Sequence, residues 1–126
     1  YLREGFSKGD PAIAHARVKD TLSHRRQHGL ETQSSGDLAR CMSENPVHAA
    51  WPARFCGTAP DGSPVVYCKL AALSLHELAD FPEKQYEGYL AMWFESCSRL
   101  IGESSRARGT QCKGTYEIYD GAGARW

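Results

Sequence analysis

Two histidines of the 126-residue chain have a spacing that could hold a metal ion. His24 and His28 stand four residues apart, so on a helix both rings would lie on one face. The pattern supplies no third ligand, and Arg25 and Arg26 between them would repel a cation. We therefore interpret the pair as the solvated basic end of a helix, and we predict no metal site.

A second group of residues could suggest hydrolytic chemistry. His76 and Glu77 begin a zinc-protease pattern, but that pattern requires a histidine at position 80, where the chain has Asp80. Cys97, His76 and Asp80 could also be drawn as a nucleophilic triad. Cys97 lies inside an apolar stripe, however, and no strained turn or helix N-terminus accompanies it, so a core position is favoured. We predict that the chain is not an enzyme.

A glycine pair at the end of the chain resembles part of a dinucleotide-binding loop. Gly121 and Gly123 follow a predicted strand, but the third glycine of that loop would fall at position 126, which is Trp126. The sequence therefore predicts no nucleotide cofactor, and no other cofactor is indicated.

Composition excludes several classes of partner. Lys and Arg together number 15, as do Asp and Glu, so no net charge would attract nucleic acid. The five cysteines are widely spaced and odd in number, which favours reduced thiols in a cytoplasmic protein. No stretch approaches the roughly 20 apolar residues that a membrane-spanning helix needs. Because the chain begins at Tyr1 and ends at Trp126 just after a predicted strand, we expect an incomplete domain.

Several segments have patterns that predict secondary structure. Asp10 and Pro11 predict the start of a helix that ends near Gly29, with an apolar stripe through Ala14, Val18 and Leu22. Residues 31–45 predict a connection with at most a helical turn over 37–42. Trp51 and Phe55 are expected in a loop.

The central part of the chain predicts an α/β unit. Asp61, Gly62 and Pro64 predict a turn, and the apolar run Val65–Leu70 predicts a strand covered on both faces. Asp80, Pro82 and Glu83 predict the start of a helix whose apolar residues recur at helical spacing over 86–101 and which ends at Gly102. Residues 115–120 alternate and predict a second strand. A long connection between the two strands predicts parallel pairing.

The same central segment resembles a known family. Asp61, Gly62, Pro64 and Val65, followed by Leu75, His76 and Glu77, resemble the first strand of the CRAL-TRIO lipid-binding domain and the L-H-E that follows it. The resemblance implies an α/β fold: a helical region over residues 1–45, then the first strand, helix and second strand of a mostly parallel CRAL-TRIO sheet over residues 46–126.

The resemblance also implies a lipid site. The positions that hold the headgroup in phosphatidylcholine-binding members correspond here to Phe55, Phe94, Thr115 and Glu117. Tyr1, Leu2 and Arg3 are similar to the end of a family helix in which an arginine binds an inositol phosphate. The site residues implied for lipid binding are Phe55, Phe94, Thr115, Glu117 and Arg3.

The function implied is non-enzymatic lipid binding and transfer. The module would shield a phospholipid or another hydrophobic small molecule in an apolar slot and exchange it at a membrane surface. A cytoplasmic protein in transient, peripheral contact with membranes is expected, without nucleic acid as a partner. The alternative is a truncated or degenerate domain that acts as a protein-interaction or regulatory module.

Overall fold

The computed structural model describes residues 10–124, which form five α-helices and one three-stranded mixed sheet. The mixed α/β class expected from the sequence is confirmed. The chain divides into two compact units between Gln33 and Ser34. In chain order the elements are α1 (Pro11–Gln27), α2 (Ser35–Glu44), α3 (Pro46–Ala50), β1 (Ala53–Thr58), β2 (Pro64–Lys69), α4 (Leu75–Asp80), α5 (Glu83–Arg108) and β3 (Tyr116–Asp120).

The first unit contains α1, which begins and ends where the sequence predicts. The Asp10 side chain accepts a hydrogen bond from the Ala12 amide at 2.8 Å. Gly29 lies just beyond the helix with φ +64°, where glycine is favoured. The expected apolar face is only partly buried, however. Within α1 only Ala14 is buried, whereas Val18 and Leu22 are 39% and 37% exposed. A periodic pattern predicts the helix, but it does not guarantee a surface that covers the stripe.

The second unit begins with a helix that was expected to be a connection. Ser34 and Asp37 form reciprocal caps: the Ser34 Oγ accepts from the Asp37 amide at 3.1 Å, and the Asp37 carboxylate accepts from the Ser34 amide at 3.2 Å. This capping box starts the ten-residue α2. Asn45 then caps α3, because its side-chain oxygen accepts from the Val47 amide at 3.0 Å.

The sheet contains one strand that was expected to be a loop. β1 pairs antiparallel with β2, so the strand predicted over Val65–Leu70 is the central strand and not the first. β3 pairs with β2 in parallel, as predicted. Gly57 has φ +125° and lies where the β1–β2 register shifts. The six residues of β1 include only one large apolar side chain, Phe55, which is why alternation did not identify the strand.

The central strand is covered on one face rather than two. Val66 and Cys68 are buried, whereas Val65 and Tyr67 between them are only half-buried. On the neighbouring β3, Ile118 is 50% exposed. Among residues 10–124, therefore, the sheet presents a buried face toward α5 and an open outer face, so the expected two-sided cover is not found in this part of the chain.

Helix α5 is longer than predicted, because it continues through Gly102 to Arg108 and ends at Gly109. Two serines beyond Gly102 hold this last part in place. The Ser104 hydroxyl donates to the Gly62 carbonyl, and the Ser105 Oγ accepts from the Cys112 amide at 3.0 Å. The turn before β2 is thereby attached to the end of α5.

Two apolar clusters make up most of the core of the second unit. Met42, Val47 and Tyr89 join α2, α3 and α5. Ala53, Val66 and Cys68 form the buried face of the sheet, against which Trp93 of α5 packs. Within the described residues, none of the helices has the length and hydrophobicity needed to cross a membrane.

Candidate functional site

A cavity of about 340 Å³ opens between α2, β1 and α5, at the junction of the two apolar clusters. Its lining is mostly apolar, because buried and half-buried side chains of β1 and α5 meet Met42 and Ala39 of α2 there. The apolar lining residues are Ala39, Met42, Ala53, Phe55, Trp93 and Leu100.

The aromatic wall of the cavity is fixed by the sheet. Phe55 pairs across the strands with buried Val66, so its ring lies on the face that points toward α5. There it stacks on Trp93, with ring centroids 5.0 Å apart and planes inclined by 13°. Two stacked aromatic rings provide a large, rigid apolar surface at one side of the cavity.

The three serines that line the cavity have their hydroxyls occupied by the protein. The Ser35 hydroxyl donates to the Glu103 carboxylate at 3.2 Å. The hydroxyls of Ser43 and Ser96 donate to backbone carbonyls of their own helices, those of Arg40 at 2.8 Å and Met92 at 2.9 Å. Their donors are therefore satisfied without a ligand, and the serines add little polarity to the interior.

The remaining polar residues of the lining are Arg54 and His48. Arg54 pairs with Tyr67 across the strands, and its guanidinium carbon lies 5.4 Å from the centre of the Tyr67 ring. This contact places the charge on the outer face of the sheet, opposite the cavity. His48 is instead tied to the core, because its Nδ1 lies 2.9 Å from the hydroxyl oxygen of Tyr89. Of these two polar side chains of the lining, His48 is therefore the one placed to contact a ligand in the cavity.

A second, smaller cavity of about 110 Å³ lies beside the first. Ala53 and Trp93 line both cavities and form the wall between them. Phe94 and Glu117 line the smaller one, where Glu117 accepts a hydrogen bond from the Tyr119 hydroxyl at 2.6 Å. This bond to the carboxylate, more than burial, raises the pKa of Tyr119.

The residues expected to bind lipid are divided between these places. Phe55 lines the larger cavity, whereas Phe94 and Glu117 lie together at the smaller one. Phe94 is 63% exposed. Thr115 precedes β3 and lines neither cavity, and Arg3 lies outside the described residues. The structure therefore brings Phe94 and Glu117 together at the smaller cavity, whereas Phe55 lies in the larger cavity, which Trp93 separates from it. The roles of all five residues in lipid binding stay predictions.

The residues considered for catalysis lie in ordinary environments. Burial, with a smaller effect from Glu117, raises the pKa of the Cys97 thiol to about 11, so it is protonated near neutral pH. His76 and Asp80 approach to 3.8 Å on the exposed surface of α4. Within residues 10–124, no group of three His, Cys, Asp or Glu side chains has the geometry of a metal site.

Several residues of the larger cavity were not identified from the sequence. Met42 ends a segment for which at most one helical turn was expected, and no element was predicted around His48, so neither residue was assigned to a helical face. Trp93 was recognised as part of an apolar stripe, but its partner Phe55 was placed in a loop. The capping pair Ser34 and Asp37 is the signal that could have revealed α2 and with it this wall.

Two comparisons of the sequence with known proteins found no match. A scan of protein-family models finds no family that matches the chain, and a search of curated proteins finds no matching sequence. The CRAL-TRIO resemblance therefore stays a prediction.

Proposed function

We propose that this chain is a non-enzymatic binding module that holds one apolar chain or small ring system in the larger cavity. The observation that carries the proposal is the cavity itself, with its volume of about 340 Å³ and its mostly apolar lining. Small-molecule sites in proteins have volumes of about 300–1,000 Å³ and are mostly apolar with few polar groups. The cavity lies at the lower end of that range, which favours a ligand with one hydrophobic chain over a complete two-chain phospholipid.

The expected affinity follows from the hydrophobic effect. Each methylene moved from water into an apolar site contributes about 0.8 kcal/mol. A segment of about eight methylenes therefore contributes roughly 6 kcal/mol, between the ~4 kcal/mol of a millimolar complex and the ~8 kcal/mol of a micromolar one. The stacked rings of Phe55 and Trp93 reduce the cost of binding, because that wall is already formed.

The resemblance to CRAL-TRIO domains extends this proposal to transfer. A ligand shielded from water in the cavity would be exchanged at a membrane surface, by a cytoplasmic protein that associates with membranes peripherally. Within the proposal, the walls of the slot are α2, β1 and α5, and His48 stands among the polar groups of the lining.

Replacing one of two alanines by phenylalanine tests the site. Ala39 and Ala107 are both exposed helical residues, but only Ala39 lines the cavity. We expect Ala39→Phe to fill the cavity and to weaken binding of a brominated fatty acid at least tenfold, whereas Ala107→Phe binds like the wild type. Quenching of tryptophan fluorescence by the bromine atoms, with Trp93 in the wall, measures the affinity. Equal binding by the two variants would contradict the proposal.

A protein-interaction module is the second candidate, and the open side of the sheet favours it. Tyr116 and Ile118 of β3 are 53% and 50% exposed. β3 is also an edge strand of the described sheet, so its outer backbone could pair with β3 of a second copy of the chain. Glu117 and Asp120 of each copy would bring like charges to such a pairing, which weakens it. A chain that self-associates and leaves its cavity empty would fit this candidate.

A further inference from the structure

We infer that the ligand of the larger cavity carries a carbonyl oxygen, and that this oxygen accepts a hydrogen bond from Nε2–H of His48. The inference rests on the proposed function and specifies the ligand as a single-chain carbonyl compound: a fatty acid, a fatty ester or a long-chain ketone. It depends on which nitrogen of His48 carries the proton, and on where that nitrogen points.

The buried hydroxyl of Tyr89 determines the proton on His48. Tyr89 is only 1% exposed, and among residues 10–124 the hydrogen-bond partner of its hydroxyl is Nδ1 of His48, at 2.9 Å. If Nδ1 donated instead, the tyrosine O–H would be a buried donor without an acceptor, which costs about 1–3 kcal/mol. The tyrosine hydroxyl therefore donates to Nδ1. In a neutral imidazole the proton then lies on Nε2.

The tyrosine keeps this proton over a wide pH range. Burial raises the pKa of Tyr89 to about 12, so the hydroxyl remains a donor at every physiological pH. Tyr89 thereby acts as a positioning residue: it orients the ring of His48 and fixes its tautomer without touching the ligand, in the way that partners of other histidines do.

The second ring nitrogen of His48 is the part of the inference that the cavity geometry supports. His48 lines the cavity and Tyr89 does not, so we infer that Nε2, on the ring edge not bound to Tyr89, is the nitrogen turned toward the cavity. Among the described residues, the hydrogen bond of the His48 ring joins Nδ1 to Tyr89, and Nε2 is the second nitrogen of that ring. The serine hydroxyls nearby already donate to protein acceptors, and the Arg54 guanidinium lies over Tyr67. A ligand acceptor in this otherwise apolar cavity would therefore be met by His48.

Three ligands of equal chain length separate this inference from the proposed function. Decane reports on the apolar cavity alone, decan-2-one adds a carbonyl, and decanoic acid adds a carboxylate. Each is titrated by calorimetry into the full chain of the wild type, of His48→Phe and of His48→Gln. Phenylalanine keeps a flat ring without a donor, and the glutamine amide supplies an N–H near the position of Nε2.

We expect His48→Phe to lower the preference for decan-2-one over decane by roughly threefold to tenfold, the amount that one net hydrogen bond represents. The preference is a ratio of two affinities, so a change in apolar packing at position 48 affects both ligands and cancels, and His48→Gln should retain most of the preference. A wild-type affinity for decanoic acid that exceeds the affinity for decan-2-one would support the inference and assign the carboxylate.

A measurement on the unliganded protein checks the tautomer independently of these variants. The ¹H–¹⁵N long-range NMR correlations of His48 should report the Nε2–H form in the wild type and a mixture of forms in Tyr89→Phe. An Nδ1–H form in the wild type, or an equal ketone preference in wild type and His48→Phe, would overturn the inference while the proposed function stands. Failure of all three ligands to bind the wild type would overturn both.

Discussion

The hydroxyl of the buried Tyr89 contacts His48, a residue that lines the larger cavity. Tyr89 packs with Met42 and Val47, and its single hydroxyl reaches His48 at the cavity wall. A buried tyrosine needs such a partner, and a neutral imidazole supplies an acceptor. One hydrogen bond therefore joins the core of the second unit to its candidate site.

The raised pKa of Tyr89 predicts a loss of stability at alkaline pH. In the unfolded chain a tyrosine ionises near pH 10, whereas burial raises the folded pKa to about 12. The contribution of Tyr89 is fully present below pH ~10 and decreases as the pH rises toward ~12, because only the unfolded state gains from ionisation in that window. Two pKa steps correspond to at most about 2.7 kcal/mol.

Urea unfolding of the wild type and of Tyr89→Phe between pH 9 and 12 measures this effect. Lysines and the other tyrosines titrate in both proteins, so their contributions cancel in the difference. We expect the stability advantage of the wild type over the variant to shrink above pH ~10. A difference that stays constant across the range would show that Tyr89 ionises as easily in the folded chain as in the unfolded one.

At the scale of elements, α5 organises the second unit. Its middle carries Tyr89 and Trp93 into the two apolar clusters, and Ser104 near its end contacts the turn before β2. Gly62 in that turn has φ +83° and lies against the Ser104 and Arg108 side chains, so both the backbone conformation and the space require glycine. Contact with this turn explains why the helix continues past Gly102.

The glycine inside α5 and the glycine that follows its last residue should respond in opposite ways to substitution by alanine. Gly102 lies inside the helix, and an added Cβ would be 3.5 Å from the nearest atom of Arg106, an ordinary contact. We expect Gly102→Ala to stabilise the chain by about 0.5–1 kcal/mol, because alanine has the higher helix propensity. Gly109 has φ +66°, so Gly109→Ala should destabilise by about 1–2 kcal/mol.

Thermal unfolding of the two variants distinguishes these directions. An increase in Tm for Gly102→Ala and a decrease for Gly109→Ala would agree with a helix that ends at Gly109. If Gly102 ended the helix, as the sequence pattern predicts, Gly102→Ala would instead be the destabilising change.

The elements differ in how far the sequence could predict them. α1 and β2 have strong local signals: Asp10 with Pro11, and Pro64 at the start of an apolar run. α2 has two buried apolar residues, Leu38 and Met42, four apart on one face, and a capping box at its start, but its polar residues with Ser and Gly favoured a connection. β1 is defined by pairing with β2, a contact between distant segments that local alternation does not encode.

At the scale of the whole molecule, the candidate site is a product of tertiary packing. Its walls come from α2, β1 and α5, which are separated along the chain and were not all identified as elements. The sequence therefore placed Phe55 among the ligand-binding residues through a family resemblance, but it could not place His48 or the stack of Phe55 on Trp93. The sheet also has an exposed apolar face that includes Ile118, and this face is the binding surface in the alternative proposal of a protein-interaction module.

The measurement that tests the central claim most directly is an isotope-filtered NMR experiment on the full chain with uniformly ¹³C-labelled decanoic acid. The binding account predicts intermolecular contacts from the chain of the ligand to the Met42 methyl group and to the rings of Phe55 and Trp93, which line the larger cavity. Contacts confined to Tyr116 and Ile118 on the open face of the sheet, or no contacts at saturating ligand, would contradict it.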